Sequence, residues 1–323
     1  MTPRPRVAAI DCGTNAIRLL VADVVPGPRG PSLLDVHREE RIIRLGEGVD
    51  ATGRLTSGAL DRAWHALSDY VAVIRASGTD AVRMAATSAT RDADNRDEFV
   101  AMVTRTLGQP PEVISGDVEA ALSYQGAVAD LDPDDGPFLV VDIGGGSTEL
   151  VVGDASGPRA AVSVDIGSVR VTERALRGDP PPPAVVAAAR SWVKQVLEQG
   201  LDRLRSTGSL STRPPRTVVA VSGTAMTVAA ATLYRRGIDP GLAHLAMVTP
   251  ADVTWAATLL LRATTAHRAA LPWLHPGRVD VIGAGALIMS TLTDLLVDRG
   301  ITGITVSEHD ILDALALSLA PPD

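Results

Sequence analysis

Two stretches of the chain share one pattern of apolar and polar positions. In each, an apolar run ends at an aspartate, a short turn of glycine and hydroxyl residues follows, and a second apolar run begins. The stretches span residues 7–23 and 138–153, and the pattern is typical of strand, turn and strand. Such an internal repeat predicts two related lobes that face one cleft.

The rest of the chain alternates helix-like and strand-like apolar spacing. Apolar residues recur every three or four positions from Leu60 to Ile74, which predicts a helix over 57–77 with Ser57 as its N-cap. A short apolar run at 81–86 predicts a strand directly after that helix. This alternation favours an α/β fold.

The segment 130–137 is acidic, rich in turn residues and without apolar period, which is typical of a domain boundary. A chain of 323 residues is long enough for two domains of ordinary size. We expect an N-terminal domain over 1–131 and a C-terminal domain over 137–323, with a terminal helix at about 309–320 that can pack back on the first domain.

The turn of the second stretch offers groups that bind phosphate. It follows Asp142 and contains Gly144, Gly145, Gly146, Ser147 and Thr148. A carboxylate at a strand end, beside backbone N–H groups and hydroxyls, suits a phosphate and its divalent cation. Asp11, Gly13 and Thr14 take the equivalent positions in the first stretch. The alternative is a pair of ordinary hairpins with glycine turns.

Two further segments join a predicted strand to a predicted helix. Gly223 and Thr224 follow an apolar run and either meet a ligand at the helix N-terminus or form a plain tight turn. Asp117 and Glu119 lie in or just after the first turn of a helix that Ser115 would cap. These carboxylates either interact with the helix dipole or lie at the cleft, where one can act as a base.

Composition excludes several classes of protein. The formal net charge of −8 argues against nonspecific binding to nucleic acid or to a membrane surface. One cysteine, Cys12, excludes an internal disulfide framework, and no apolar signal core follows the first six residues, so we expect a cytoplasmic protein. No apolar run reaches membrane-spanning length, and the six histidines show no metal-ligand spacing.

Six motifs, in order along the chain, carry a resemblance to a known family. They lie at 10–20, 86–91, 113–120, 141–149, 166–170 and 221–224. The set resembles the exopolyphosphatase and guanosine pentaphosphate phosphohydrolase (Ppx/GppA) family, within the actin, Hsp70 and sugar-kinase superfamily. The resemblance implies an α/β protein with two ribonuclease-H-like (actin-like ATPase) domains that flank a central cleft.

The same resemblance implies roles for particular residues. Glu119 is the expected catalytic base, and Glu149 is expected beside the attacking water. The expected ligands of Mg²⁺, with Mn²⁺ as the alternative, are Asp142, Glu149 and Asp11. The expected phosphate-binding residues are Asp11, Gly13, Thr14, Asn15, Arg18, Arg91, Gly144, Gly145, Gly146, Ser147, Thr148, Gly223 and Thr224.

The implied function is an exopolyphosphatase, which releases orthophosphate from the ends of inorganic polyphosphate by metal-assisted attack of water. Longer members carry a C-terminal helical extension that helps to hold long polymers, so we expect short chains as substrate, and a homodimer is compatible with this reading. Guanosine pentaphosphate is the alternative substrate. A kinase of the same superfamily and a non-enzymatic, nucleotide-gated binding module are further alternatives.

The sequence departs from the family pattern at several positions. Val118 stands where a second glutamate commonly precedes the base, and Ser222 stands where glycine is frequent. Arg268, His275 and Arg278 cluster around a proline-rich connection without an assigned role. These departures concern contacts to the substrate rather than the expected chemistry.

Overall fold

In a computed structural model, which describes residues 4–27, 30–208 and 214–321, the chain divides into two compact units. The first unit contains Met1–Leu122 and Ile311–Asp323, and the second contains Ser123–Asp310. The division falls inside one helix, Gly116–Val128. The last helix of the chain therefore belongs to the first unit.

The first unit is built on a five-stranded sheet. Its strands are β1 (Arg6–Cys12), β2 (Ala16–Gly27), β3 (Gly30–Ile42), β4 (Ala81–Ala86) and β5 (Glu112–Val113). Their spatial order is β3-β2-β1-β4-β5, with β1 to β3 antiparallel and with β4 and β5 parallel to β1. β1 is buried along nearly its whole length, as expected for a central strand covered on both faces.

Helices cover both faces of this sheet. They are α1 (Val49–Thr52), α2 (Ser57–Ala76), α3 (Ser88–Asp92), α4 (Arg96–Leu107) and the first part of α5 (Gly116–Val128). Ala8 and Ile10 of β1 belong to the core that α2 and α4 help to form. Val7 and Ala9 belong to a second core with the last helix, because successive residues of a strand face opposite sides of the sheet.

The helix predicted over 57–77 is α2, but its cap and one residue of its predicted apolar face differ from the prediction. Thr56 is the N-cap, and its hydroxyl accepts a hydrogen bond from the backbone N–H of Ala59. Trp64 is 45% exposed, whereas Ala63 and Tyr70 are buried. The rest of the predicted apolar face is buried as expected, since Leu67, Val71 and Ile74 all belong to the core.

The second unit is built on a six-stranded sheet. Its strands are β6 (Phe138–Ile143), β7 (Thr148–Asp154), β8 (Gly157–Val164), β9 (Thr217–Val221), β10 (Met247–Val248) and β11 (Ile304–Val306). Their spatial order is β10-β11-β9-β6-β7-β8. β6 to β8 are antiparallel, β9 is parallel to β6, and β11 is parallel to β9.

The helices of the second unit begin with the remainder of α5. The others are α6 (Ser168–Ala175), α7 (Pro183–Ser206), α8 (Ser222–Arg235), α9 (Pro250–Arg262), α10 (Thr265–Ala269) and α11 (Ile282–Val297), and α12 (Ile311–Leu317) follows in the first unit. Thr249 caps α9 through a reciprocal pair of hydrogen bonds with Asp252. Within the described residues, no helix is both long enough and apolar enough to cross a bilayer.

The two sheets repeat one topology. In each, three antiparallel strands in the order third, second, first are followed by two strands parallel to the first. This is the strand order of a ribonuclease-H-like domain, and β10 is an added edge strand in the second unit. The predicted α/β fold class with two related domains is confirmed.

Candidate active site

The two predicted turns have the same backbone geometry. In the turn between β1 and β2, the N–H of Gly13 donates to the carbonyl of Ala16 at 2.9 Å. In the turn between β6 and β7, the N–H of Gly144 donates to the carbonyl of Ser147 at 3.0 Å. The repeat that the sequence suggests therefore extends to the hydrogen bonds of the turns.

The second turn is held from one side by α6. Its carbonyl oxygens accept hydrogen bonds as follows: Gly144 from the N–H of Ser168 at 2.9 Å, Gly145 from the N–H of Val169 at 2.9 Å, and Gly146 from the Nε of Arg170 at 2.9 Å. In a trans peptide the N–H points opposite to the C=O. The N–H groups of Gly145, Gly146 and Ser147 are thus directed away from α6, as a phosphate-binding turn requires.

Close packing sets the shape of this turn. A Cβ atom on Gly167, just before α6, would lie 2.4 Å from the carbonyl oxygen of Gly145. Thr148, predicted to bind phosphate, donates its hydroxyl to the carbonyl of Ile166 at 2.7 Å. The side chain of Thr148 therefore supports the turn, and its hydroxyl proton is engaged in this hydrogen bond.

Two acidic residues lie directly opposite each other beside the second turn. Asp142 on β6 pairs with Glu149 on β7 in the antiparallel register, so their side chains share one face of the sheet. Asp142 is 8% exposed and Glu149 is 1% exposed. Ser123 donates its hydroxyl to Asp142 Oδ2 at 2.6 Å, and Ser163 donates to Glu149 Oε1 at 2.7 Å.

This pair fits a divalent cation. Like charges directly opposite each other on a sheet repel, and burial strengthens the repulsion. Carboxylate oxygens are the ligands that Mg²⁺ and Mn²⁺ prefer. Asp142 and Glu149 therefore supply the chemistry of a hard cation site, with one oxygen of each carboxylate oriented by a serine.

The first hairpin places an arginine where the second has Glu149. Asp11 pairs with Arg18 across β1 and β2, and the guanidinium donates to Asp11 Oδ2 from Nη2 at 2.6 Å and from Nε at 3.0 Å. Thr14 forms a hydroxyl–hydroxyl hydrogen bond with Ser88 at 2.7 Å, and the backbone carbonyl of Asn15 accepts from two N–H groups of the segment after β3. Asp11 is thus neutralised by a side chain of the protein.

The two candidate bases at the start of α5 differ in exposure and in hydrogen-bond partner. Asp117 is exposed, whereas Glu119 is half-buried and its Oε2 accepts a hydrogen bond from Nη1 of Arg91 at 3.1 Å. The same nitrogen donates to the carbonyl of Ile114 at 3.0 Å, which fixes the guanidinium. Ser123 lies one helical turn after Glu119 on the same face of α5.

The start of α8 lies at the same end of the second sheet as the glycine turn. β6 and β9 are parallel with Asp142 beside Val221, so their carboxyl ends meet. Ser222 has a φ of 67°, a conformation that glycine adopts without strain, and its hydroxyl donates to the carbonyl of Ile143 at 2.8 Å. Thr224 packs against α11, where a Cβ on Gly285 would lie 2.5 Å from its hydroxyl.

The sequence indicated Arg278 as part of a cluster but gave it no role, and the structure places its side chain at the start of α8. A Cβ on Gly223 would lie 1.8 Å from Nη1 of Arg278, so the guanidinium lies directly on the backbone at the start of α8. The other two residues of the predicted cluster have local partners. Arg268 donates to the carbonyl of Leu260 at 3.1 Å, and His275 accepts from the N–H of Gly277 at 3.1 Å.

Fold and site together define a two-domain α/β protein whose turns and carboxylates suit phosphate and a divalent cation. The model of the Ppx/GppA phosphatase family matches residues 20–319, and the chain belongs to this family. The predicted resemblance is confirmed.

The chain is 48% identical to exopolyphosphatase 2 of Mycobacterium tuberculosis over 321 residues, which cover 98% of each protein. It is 35% identical over 202 residues to a guanosine-5′-triphosphate,3′-diphosphate pyrophosphatase of Vibrio parahaemolyticus, covering 61% of this chain and 40% of that protein. Among solved structures, it is similar to an exopolyphosphatase-like protein, with 38% identity, a TM-score of 0.87 and 98% of both chains covered. A Ppx/GppA family member from Aquifex aeolicus has 29% identity and a TM-score of 0.77, with 98% of this chain and 97% of that chain covered.

Proposed function

We propose that the protein is an exopolyphosphatase that hydrolyses the terminal phosphoanhydride bond of inorganic polyphosphate and releases orthophosphate. The opposed, buried carboxylates Asp142 and Glu149 beside a glycine turn carry the proposal, because they suit a cation and the phosphate it neutralises. The near full-length similarity to the mycobacterial exopolyphosphatase 2 supports polyphosphate as the substrate.

In the proposed reaction, the N–H groups of Gly145, Gly146 and Ser147 bind oxygens of the terminal phosphoryl group. Glu119 orients a water molecule and accepts its proton as the water oxygen bonds to phosphorus. The bond from phosphorus to the bridging oxygen breaks, which leaves a polyphosphate shorter by one unit. Asp142 and Glu149 would hold Mg²⁺ or Mn²⁺, and the ion would neutralise charge on the phosphoryl group.

The partners of Glu119 support its role as the base. The salt bridge with Arg91 restricts the carboxylate to one orientation, and a base must be held within hydrogen-bond distance of the proton it takes. Helix α5 carries Glu119 and, one turn later, Ser123, which donates to Asp142. One helix thus bears both the proposed base and a partner of the proposed metal ligand.

A phosphate-release assay tests this function. Polyphosphates of defined length, guanosine pentaphosphate and ATP are compared side by side, each with and without Mg²⁺. We expect release from polyphosphate that requires the cation, and the length series measures the predicted preference for short chains. Faster release from guanosine pentaphosphate would favour the alternative substrate, for which the similarity to the Vibrio protein is the supporting observation. No release from any of them would refute the proposal.

We also propose that the enzyme acts in the cytoplasm, without nucleic acid, and a homodimer remains a prediction that light scattering can test. The net charge of −8 supports the absence of nucleic acid as a partner.

Cys12 is buried, and burial, together with the charge of Asp11, raises the pKa of its thiol far above neutrality. That thiol is therefore a packing residue rather than a nucleophile.

A further inference from the structure

Three side chains that commonly bind transition metals lie together outside the proposed active site. Asp130, His244 and His309 each offer one ligand atom, and these atoms all lie within 4.8 Å of one another. Asp130 follows α5, His244 precedes β10, and His309 lies between β11 and α12. Because the three residues are far apart in the chain, no sequence spacing indicates the group.

The carboxylate of Asp130 lies at the centre of this group. Its Oδ2 is 2.6 Å from Nδ1 of His309 and 3.4 Å from Nε2 of His244. The two imidazole rings are 4.7 Å apart between centroids and tilted by 42°. The three side chains are 45%, 29% and 33% exposed for Asp130, His244 and His309, so an ion can reach them from solvent.

We propose that Asp130, His244 and His309 form a binding site for Zn²⁺ or a similar borderline divalent cation, separate from the proposed site at Asp142 and Glu149. Two imidazole nitrogens and one carboxylate are a ligand set that zinc uses, with a fourth position left for water. Imidazole favours Zn²⁺ over Mg²⁺, which prefers all-oxygen ligands. The two sites therefore differ in the metals they select.

Two of the segments that carry the three ligands pack closely against each other. Gly126 of α5 packs against the segment that carries His309, since a Cβ on it would lie 1.9 Å from the carbonyl oxygen of Asp310. A cation here would join the end of α5, the loop before β10 and the connection from β11. It would stabilise the folded chain over the unfolded one, because the unfolded chain does not hold the ligands together.

Binding of a cation by His244 would break one hydrogen bond of the folded chain. Nδ1 of this ring accepts the backbone N–H of Glu308 at 3.1 Å, so the neutral ring carries its proton on Nε2. When Nε2 binds a cation, the ring proton moves to Nδ1 and the N–H of Glu308 loses its acceptor. We therefore expect weaker binding than at a structural zinc site whose ligands are all supported by further hydrogen bonds.

The test is titration of the full chain, after treatment with a chelator, by Zn²⁺ in a calorimeter and by Co²⁺ with visible absorption as the readout. We expect one equivalent of Zn²⁺ to bind with a rise in Tm. Replacement of a ligand, in His309→Ala or His244→Asn, should weaken binding by about 100-fold or more, since loss of an outer partner alone costs about 10–100-fold. His65→Ala, which removes an exposed histidine of α2, is the matched control and should bind as the wild type does.

Three results would overturn the proposal. They are the absence of Zn²⁺ binding by the wild-type chain, unchanged binding by both His309→Ala and His244→Asn, and loss of binding in Asp142→Asn instead. The last would place the bound zinc at the proposed magnesium site. The Tm of each variant without metal shows that it is folded, so a loss of binding is not mistaken for a loss of structure.

Discussion

The hairpins β1–β2 and β6–β7 have equivalent turns and strand pairing, but the residue opposite the aspartate carries a positive charge in one and a negative charge in the other. Each places a buried aspartate opposite the residue seven positions later in the chain, across an equivalent turn. In the first hairpin, Asp11 lies opposite Arg18 and the pair is a salt bridge. In the second hairpin, Asp142 lies opposite Glu149, and two negative charges share one face.

The difference shows how one motif serves two purposes. A buried carboxylate needs a compensating charge, and the first hairpin supplies it from its own sequence. In the second hairpin the residue opposite the aspartate is a second carboxylate, and two facing carboxylates suit an added cation. The predicted role of Asp11 as a metal ligand stays a prediction, and it would require the carboxylate to share its charge between a metal and Arg18.

The largest expected effect is a loss of turnover on replacement of the proposed base, which lies outside both hairpins. Glu119→Gln keeps the shape of the side chain and removes its ability to accept a proton. Turnover should fall by about 10²–10⁴-fold, the usual contribution of a general base, with KM and Tm little changed. Steady-state phosphate release measures this. Asp117→Asn, an exposed residue of the same helical turn, should keep the wild-type rate, and an equal loss in both variants would contradict the assignment.

The next effect concerns the metal dependence of the second hairpin. Asp142→Asn should reduce Mg²⁺-dependent turnover by about 10²-fold or more, because charge stabilisation by a bound metal contributes several kcal/mol. The apparent affinity for Mg²⁺ should fall in the same titration. Asp154→Asn, at the far end of β7, is the control. An unchanged Mg²⁺ titration in Asp142→Asn would show that the metal binds elsewhere.

A third experiment removes the internal cation of the first hairpin. Arg18→Gln leaves Asp11 buried without its charged partner, which should lower the free energy of unfolding by about 3 kcal/mol. Urea denaturation measures the loss. Arg6→Gln breaks the equivalent pair with Asp23 at the other end of the same strands, where exposure is greater, and should cost clearly less. Equal losses would mean that burial does not distinguish the two pairs.

The smallest effect has the opposite sign. Glu149→Gln removes one of two facing negative charges while its side-chain oxygen can still accept from Ser163. Without Mg²⁺, the free energy of unfolding should rise by about 1 kcal/mol, and activity should fall. Thermal unfolding in a chelating buffer measures the change. A stability loss in that buffer would indicate that the two carboxylates already share a proton rather than repel each other.

The sequence was sufficient for features that depend on local pattern. The apolar runs before Asp11 and Asp142, and the turns after them, predicted both hairpins because strand periodicity and turn residues are local signals. The same signals predicted α2, but the N-cap is Thr56 rather than Ser57, and Trp64 is exposed rather than buried. The exposure of a single position such as Trp64 depends on what packs against the helix, and the helix sequence alone does not contain that information.

Features that depend on distant residues could not be predicted. Arg278 lies on Gly223 through folding of the second unit, with no spacing to indicate it. The same is true of Asp130 and His309, which meet although helices and strands separate them in the chain. Glu119 and Asp117 are two positions apart; the family resemblance selected Glu119, but no local pattern indicated its salt bridge with Arg91.

The position of α12 has a consequence for synthesis of the protein on the ribosome. Ile311, Leu312 and Leu315 complete the core that Val7 and Ala9 begin, so the first unit joins segments that lie on either side of the second unit in the sequence. The second unit is continuous from Ser123 to Asp310 and can close its own core during translation. The sheet of the first unit is therefore synthesised before the second unit but completes its folding later. One apolar face of this sheet is covered only after α12 has been synthesised.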